Sequence, residues 1–364
     1  MSWLSLGCST APAVDSGLGR HSAAASGELR WEAGCRVADP AVLQDCVRVD
    51  FYREQLTQVA GVRVPGSRHW SEVQHRCDQT LTSLGFDVER HRYATGVNVV
   101  GTRLGTTQPE QRVLVGAHYD HIPYCPGADD NASGVAGVLE LARVVSGAPH
   151  DRTLTVACWD EEEWGLIGSR AWAERARERD DEIVVYFNFD AIAYTDPRPD
   201  SQRVPPGFAA MFPELIAQLD ERERRADFIT IVADSQARPW AQTLASAADR
   251  AALPHALLTI PNWLRASHLA VDLERSDHAS LWRYGYPAIM ITDTAEYRSD
   301  TYHCRGRADT LDTLDVPFAA SVVGATVHAV TVALKAPPPE STPAGSGPGR
   351  STTAAAPSGE PHTG

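Results

Sequence analysis

The chain has 364 residues, 43% of them hydrophobic, and a formal net charge of −14. That length allows a sizeable core, in one large domain or two small ones. The acidic balance argues against a nucleic-acid partner, since neutralising phosphates needs a basic face, and the apolar runs look shorter than the roughly 18 residues of a membrane helix.

The first residues, MSWLSLGC, are apolar and end on Gly7-Cys8, followed by a Ser/Ala/Gly-rich stretch to Gly27. This has the shape of the end of a bacterial lipoprotein signal with Cys8 as the lipidated residue, although it lacks a basic start and its apolar region is short. Export follows from that reading: a secreted, periplasmic or lipid-anchored protein. A plain thiol in a disordered leader is the competing reading and leaves the cytoplasm open. Residues 1–27 are therefore set apart from a folded unit spanning 28–335.

Within that unit, Leu43, Val47, Val49, Leu56 and Val59 predict amphipathic helix between Glu28 and Ala60, with Asp39-Pro40 as a start signal. A second helix is predicted over His69–Leu84, stopped by Gly85. Phe86–Arg92 and Val97–Val100 read as strands whose role is packing. The runs Val113–Gly116 and Leu154–Cys158 are short and rich enough in β-branched residues to be buried parallel strands, with a helix over Ala132–Val145 between them. Each strand leads into potential metal ligands: His118, Asp120, Asp129 and Asp130 after the first, Glu161, Glu162 and Glu163 after the second. Ile183–Phe189 is a third such strand and ends on Asp190; Ala288–Thr292 is a fourth, followed by a loop with Tyr302 and His303. Ligands bind beyond the carboxyl ends of parallel strands in open α/β sheets, and so many carboxylates at one edge would repel one another without a cation. Any one of these polar strand ends alone would be an ordinary loop start.

Further on, Thr195–Gly207 is too polar for an element, Glu214–Arg225 suits a solvated helix, Phe228–Val232 a strand and Ala237–Ala251 a helix. Pro254–Leu273, holding His255, Trp263 and His268, reads as an irregular loop and is the expected specificity wall or, equally, a cover for the sheet edge. Pro317–Leu334 closes the fold as a helix. From Ala336 to Gly364 the Pro/Ser/Thr/Gly/Ala composition cannot bury a core and predicts disorder.

The segments GAHYD, PGADDNASG, EEEWGLIGS, NFDAIAY, SDH and YH…DT, in that order between about Ala60 and Ala333, resemble the dizinc exopeptidases of the bacterial leucine aminopeptidase and aminopeptidase S type. The superfamily also holds glutaminyl cyclases, carboxypeptidases and non-catalytic receptor domains. The resemblance implies a three-layer α/β/α fold around a mixed, centrally parallel sheet. It further implies two Zn2+ per chain, a peptide substrate, and His118 and Asp190 on one metal, Glu163 and His303 on the other, with Asp130 bridging. Imidazole and carboxylate donors suit zinc at open catalytic sites. Glu162 is then the general base, Asp120 the acceptor that orients the His118 ring, and Tyr302 either a donor to the developing oxyanion or, equally, a packing residue. Asp277 and His278 fall near the pocket without being ligands, Asp309 orients the His303 loop, and His69, His75 and His91 are surface residues. A metal site shared by the two loops would also draw Cys125 and Cys304 together, so an exported protein should carry that disulfide. Cys158 reads as a small buried residue, and a bridge among Cys35, Cys46 and Cys77 has no assignable pairing. Retention of all five ligands and of the base favours hydrolysis over the cyclase and scaffold readings. Oligomeric state is not specified by the sequence.

Overall fold

The computed structural model describes residues 35–266 and 271–336. The leader with Cys8, the tail beyond Ala336 and His268 lie outside the described residues. Eight strands form one sheet: β1 Asp87–Arg92, β2 Val97–Arg103, β3 Gln108–His118, β4 Arg152–Trp159, β5 Glu182–Phe189, β6 Ile229–Asp234, β7 His255–Ile260 and β8 Ala288–Thr292. Their order across the sheet is β1-β2-β4-β3-β5-β8-β6-β7. The central run β4-β3-β5-β8 is parallel throughout, while β1, β2 and β6 join antiparallel to their inner neighbours and β7 pairs parallel with β6.

The pleat sends alternate residues of each strand into different helical layers. Val113, Val115 and Ala117 of β3, with Val156 and Cys158 of β4, pack into a core shared with the helices Val49–Val59, Arg68–Ser83, Gly134–Val145, Arg238–Arg250 and Val316–Ala333. Leu114, Ala157 and Trp159 face a second core with the helices Ile167–Glu178 and His278–Arg283. Strands covered on both faces read as near-continuous apolar runs, which is why β3, β4 and β5 were visible in the sequence.

The differences from expectation are local. The long helix predicted before Ala60 is two helices, Pro40–Gln44 and Val49–Val59, and the turn between them is clipped by a Cys35–Cys46 disulfide. Asp39 caps the first by accepting from the backbone N–H groups of Ala41 and Val42. Pro254–Leu273 is not irregular throughout: His255–Ile260 is strand β7, followed by a short helix Asn262–Ala266. His91 is buried rather than on the surface, 5% exposed, with Nδ1 3.1 Å from Asn98 Nδ2. Helix Val316–Ala333 is apolar and long enough to cross a membrane, which the sequence reading overlooked because Ser, Thr and His interrupt it. It is 78% buried within the protein, as a core helix.

Candidate metal centre

Three parallel strands deliver their polar ends to one place. β3 ends on His118, β4 is followed by Asp160-Glu161-Glu162-Glu163, and β5 by Asp190. Because β3 is hydrogen-bonded to both β4 and β5 in parallel register, the three exits lie side by side. A fourth contribution comes from the loop after β8.

Asp130 sits between two imidazoles. Its Oδ1 is 3.3 Å from His118 Nε2 and its Oδ2 is 3.2 Å from His303 Nε2. On the His118 side, Asp190 Oδ1 is 3.7 Å and Glu162 Oε2 4.0 Å from the same Nε2. Glu163 occupies the other side, with Oε2 3.1 Å from His303 Nε2 and Oε1 2.8 Å from His121 Nδ1. Potential ligand atoms thus fall into two triads, His118/Glu162/Asp190 and His121/Asp130/Glu163.

The charges explain what this cluster needs. Burial opposes a proton on His118, yet Glu162 and bonds to Asp120, Asp130 and Asp190 hold its pKa well above the ordinary imidazole range. Burial also opposes one on His303, and Asp130 and Glu163 outweigh it and push the ring up to about 9. Glu162 is raised well above a normal carboxyl, first by burial, with His118 offsetting part of the effect and Asp190, Asp277 and Glu163 adding to it. The acidic cluster thus draws positive charge onto its imidazoles, beside the nearby Arg63 guanidinium. His303 Nε2, Glu163 Oε1 and both His121 ring nitrogens are buried and none makes an aligned hydrogen bond, even where Glu163 lies 2.8 Å from His121 Nδ1 and 3.1 Å from His303 Nε2; a buried set of N and O donors of this kind is what a divalent cation satisfies. The residues fit a metal pair.

The loop that presents Asp130 is shaped by its neighbours. Gly127 has φ +55°, and a Cβ there would lie 2.2 Å from the Asp130 carbonyl oxygen, so both conformation and space require glycine. The helix expected over 132–145 is preceded by a tight segment, Ala128–Ser133, in which Asp130 and Asn131 leave helical geometry. Asn131 donates to the Phe189 carbonyl and accepts from Gly134 N–H, tying this segment to the end of β5. Asp129 turns away from the centre: it accepts from Ala193 N–H at 2.9 Å, and burial beside Asp293 pushes its pKa well up. Of the two adjacent aspartates, only Asp130 faces the imidazoles.

Two expected supports do more than the sequence reading assigned to them. The His118 Nδ1 lies 3.3 Å from the Asp120 backbone oxygen and 3.5 Å from its Oδ1, while the Asp120 carboxylate accepts from the N–H groups of Glu162 and Glu163. Asp120 therefore also sets the backbone of the acidic run. Asp309 holds both loops: its carboxylate accepts from Asp129 and Asp130 N–H, and its own N–H bonds Cys304 Sγ beside His303. Burial raises it to about 6, against those backbone bonds. Cys125 and Cys304 form a disulfide with Cα atoms 5.7 Å apart. Tyr302 stacks on His303 at 3.9 Å, and its hydroxyl accepts from Arg275 at 3.3 Å. Asp277 and His278 are buried nearby; His278 is bound to the Leu273 carbonyl at 2.8 Å and burial drops it to about 4, which leaves it outside the centre.

Two residues of the centre carried no sequence signal. His121 is one more histidine in a loop, recognisable only through its Glu163 contact. Arg63 is fully buried and donates to the carbonyls of Gly61, Pro126, Gly127 and Asp130. Burial lowers its pKa, with Asp130 and Asp309 opposing that shift.

Beside Asp190 and Tyr302 opens a cavity of about 110 Å³, walled by Val204, Phe208, Phe228, Leu258 and Met290. Leu258, Asp272 and Leu273 come from the segment expected to form the specificity wall; the exposed Trp263 and the half-buried His255 do not line the cavity.

The carboxyl edge of the central parallel strands, in a sheet layered between helices, thus carries two candidate metal-binding triads. The chain belongs to peptidase family M28, whose model matches residues 98–330. It is 32% identical over 226 residues to the uncharacterized protein YfbL of Escherichia coli, covering 58% of this chain and 64% of YfbL. Over 87 residues it is 44% identical to the probable lipoprotein aminopeptidase LpqL of Mycobacterium tuberculosis, covering 23% of this chain and 17% of LpqL. The chain thus spans less than two thirds of either relative. In fold it is similar to the Legionella pneumophila LapA aminopeptidase, with a TM-score of 0.59, 17% identity, and 81% and 75% of the two chains covered. It is also similar to a glutaminyl cyclase of Fimbriiglobus ruber, with a TM-score of 0.54, 16% identity, and 79% and 95% covered. The fold is therefore shared by hydrolases and cyclases, and the site must separate them.

Proposed function

We propose that the protein is a zinc-dependent exopeptidase that removes N-terminal residues from peptides, with residues 28–335 as its catalytic unit. The observation that carries this reading is Asp130 with one carboxylate oxygen against each of two imidazoles. His118 and Asp190 would hold one ion, Glu163 and His303 the other, and Asp130 both, a donor set suited to zinc. Such a pair, when bound, polarises the scissile carbonyl and acidifies the attacking water.

Glu162 is the residue assigned to move the proton. It lies on the cluster with Oε2 4.0 Å from His118 Nε2, placed to accept a proton from water and pass it to the departing amine. Asp120 holds Glu162 and Glu163 by their backbone N–H groups, and Tyr302, whose phenol burial keeps protonated, would donate to the developing oxyanion. The apolar cavity beside Asp190 would take the side chain of the residue being released. Two disulfides among the described residues suit an oxidising compartment, and LpqL is named a lipoprotein, which together support export.

The test is a matched substrate set: an apolar aminoacyl amide, its N-acetylated form, a C-terminally amidated peptide, and an N-acetylated peptide with a free C-terminal carboxylate. The reading expects hydrolysis of the first and third and none of the second and fourth. Cleavage that tolerates the N-acetyl group but requires a free C-terminal carboxylate would make the enzyme a carboxypeptidase.

A further inference from the structure

The two sides of the centre are held in different ways. His118 is the last residue of a strand paired on both sides, whereas His303 sits among short turns between β8 and the last helix. His303 and Cys304 are consecutive non-glycine residues with φ of 53° and 54°, a left-handed conformation that side chains disfavour. The His303 side chain is 19% exposed, against 1% for His118, and none of its ring nitrogens bonds to backbone. Something besides local propensity must hold it in place.

We propose that the Cys125–Cys304 disulfide is the positioning element of the second metal position, fixing His303 against Asp130 and Glu163. This rests on the two-metal reading above. Cys304 is adjacent to His303, and its partner Cys125 is buried and directly precedes Pro126, whose carbonyl accepts from both Arg63 and Gly61 N–H. The bridge therefore ties the His303 turn to the most firmly held part of the Asp130 loop. Asp309 provides a second, non-covalent tie between the same segments through Asp129 and Asp130, and its own N–H points at Cys304 Sγ at 3.4 Å. With Asp309 in place, loss of the disulfide leaves the loops together and frees the His303 turn. Disulfides ordinarily act by restricting the unfolded chain, which would not distinguish one metal position from the other. The Cys35–Cys46 bridge, away from the centre in the helical layer, provides that comparison.

The experiment is equilibrium zinc binding to metal-free wild type, C125A/C304A and C35A/C46A, using buffered zinc with elemental analysis, alongside thermal melts of the same metal-free proteins. The expected result is two equivalents in the wild type. In C125A/C304A the first equivalent binds unchanged and the second at least tenfold more weakly. C35A/C46A melts at a lower temperature but binds both equivalents as the wild type does. Unchanged binding of the second equivalent in C125A/C304A, or equal weakening of both equivalents in either variant, would overturn the proposal. A wild type that binds fewer than two equivalents would overturn the two-metal reading and this inference with it, and is told apart by the wild-type arm alone.

Discussion

His118 and His303 present the same ring to the same carboxylate from opposite kinds of support. Backbone hydrogen bonds of a central strand hold His118, so its position follows from the sheet. His303 depends on contacts remote in sequence: Asp130, Glu163, the Tyr302 stack and the Cys125 bridge. The sheet thus provides a rigid half-site, and side-chain and covalent ties complete it. Catalysis needs both halves fixed to a fraction of an ångström, so the proteins that break one half selectively are the informative ones.

The largest effect is expected where the rigid half carries the chemistry. Glu162→Gln keeps size and hydrogen bonding but cannot take a proton, so kcat should fall by about 10²–10⁴ with metal content retained. Its neighbour Glu163 contacts both His121 and His303, so Glu163→Gln should instead lose the metal of the loop side. Elemental analysis and turnover on both variants check the contrast; a Glu162→Gln protein that loses metal as Glu163→Gln does would reverse the assignment, since Glu162 is also near enough to His118 to serve as a ligand.

Next comes Arg63, which supports the Asp130 loop from beneath. Arg63→Met removes a donor from four carbonyls, two of them buried and two partly buried, at about 1–3 kcal/mol for each one that finds no other partner. The relief of an otherwise desolvated charge offsets part of that, so a net loss of roughly 3 kcal/mol is expected in chemical denaturation, with Arg63→Lys intermediate. A loss below about 0.5 kcal/mol would show that the loop holds itself.

The smallest effect lies away from the centre. Burial, then Arg175, depress the His91 pKa to about 4 in the folded protein, while the unfolded chain titrates near 6.5. As pH falls the unfolded chain binds the proton first. His91 therefore contributes its full stability above about pH 6.5 and loses it as pH drops through 4. Comparing unfolding free energies of His91→Gln and wild type at pH 7 and 4.5 should show a shallower decline in the variant, by on the order of 1–3 kcal/mol. Parallel curves would mean that the ring is hydrated in the folded state.

The same contrast decides what the sequence disclosed. The strands that carry His118, the acidic run and Asp190 are apolar runs with polar exits, a pattern that survives without knowledge of the fold. His303 was visible only as an imidazole in the loop after the fourth strand, and the resemblance supplied its pairing with Glu163, since its turn has no periodicity. β7 was missed because HALLTI at the sheet edge begins beside Pro254, ends at Pro261 and is only half-buried at alternate positions. His121 and Arg63 were missed because long-range contacts alone distinguish them: a loop histidine and a buried arginine bonded to carbonyls look like any other in sequence. The helix before Ala60 was overextended because the turn at Asp45–Arg48 is fixed by a disulfide whose pairing is not written in the spacing.

The central claim, two ions and one hydrolytic reaction, is tested most directly by titrating zinc into metal-free protein. Release of the N-terminal residue from an apolar aminoacyl amide is followed in parallel with cyclisation of an N-terminal glutaminyl peptide. The account predicts that hydrolysis rises to a plateau at about two equivalents of zinc per chain and that the glutaminyl peptide is not cyclised. Full activity at one equivalent, with cyclisation in place of hydrolysis, would contradict it.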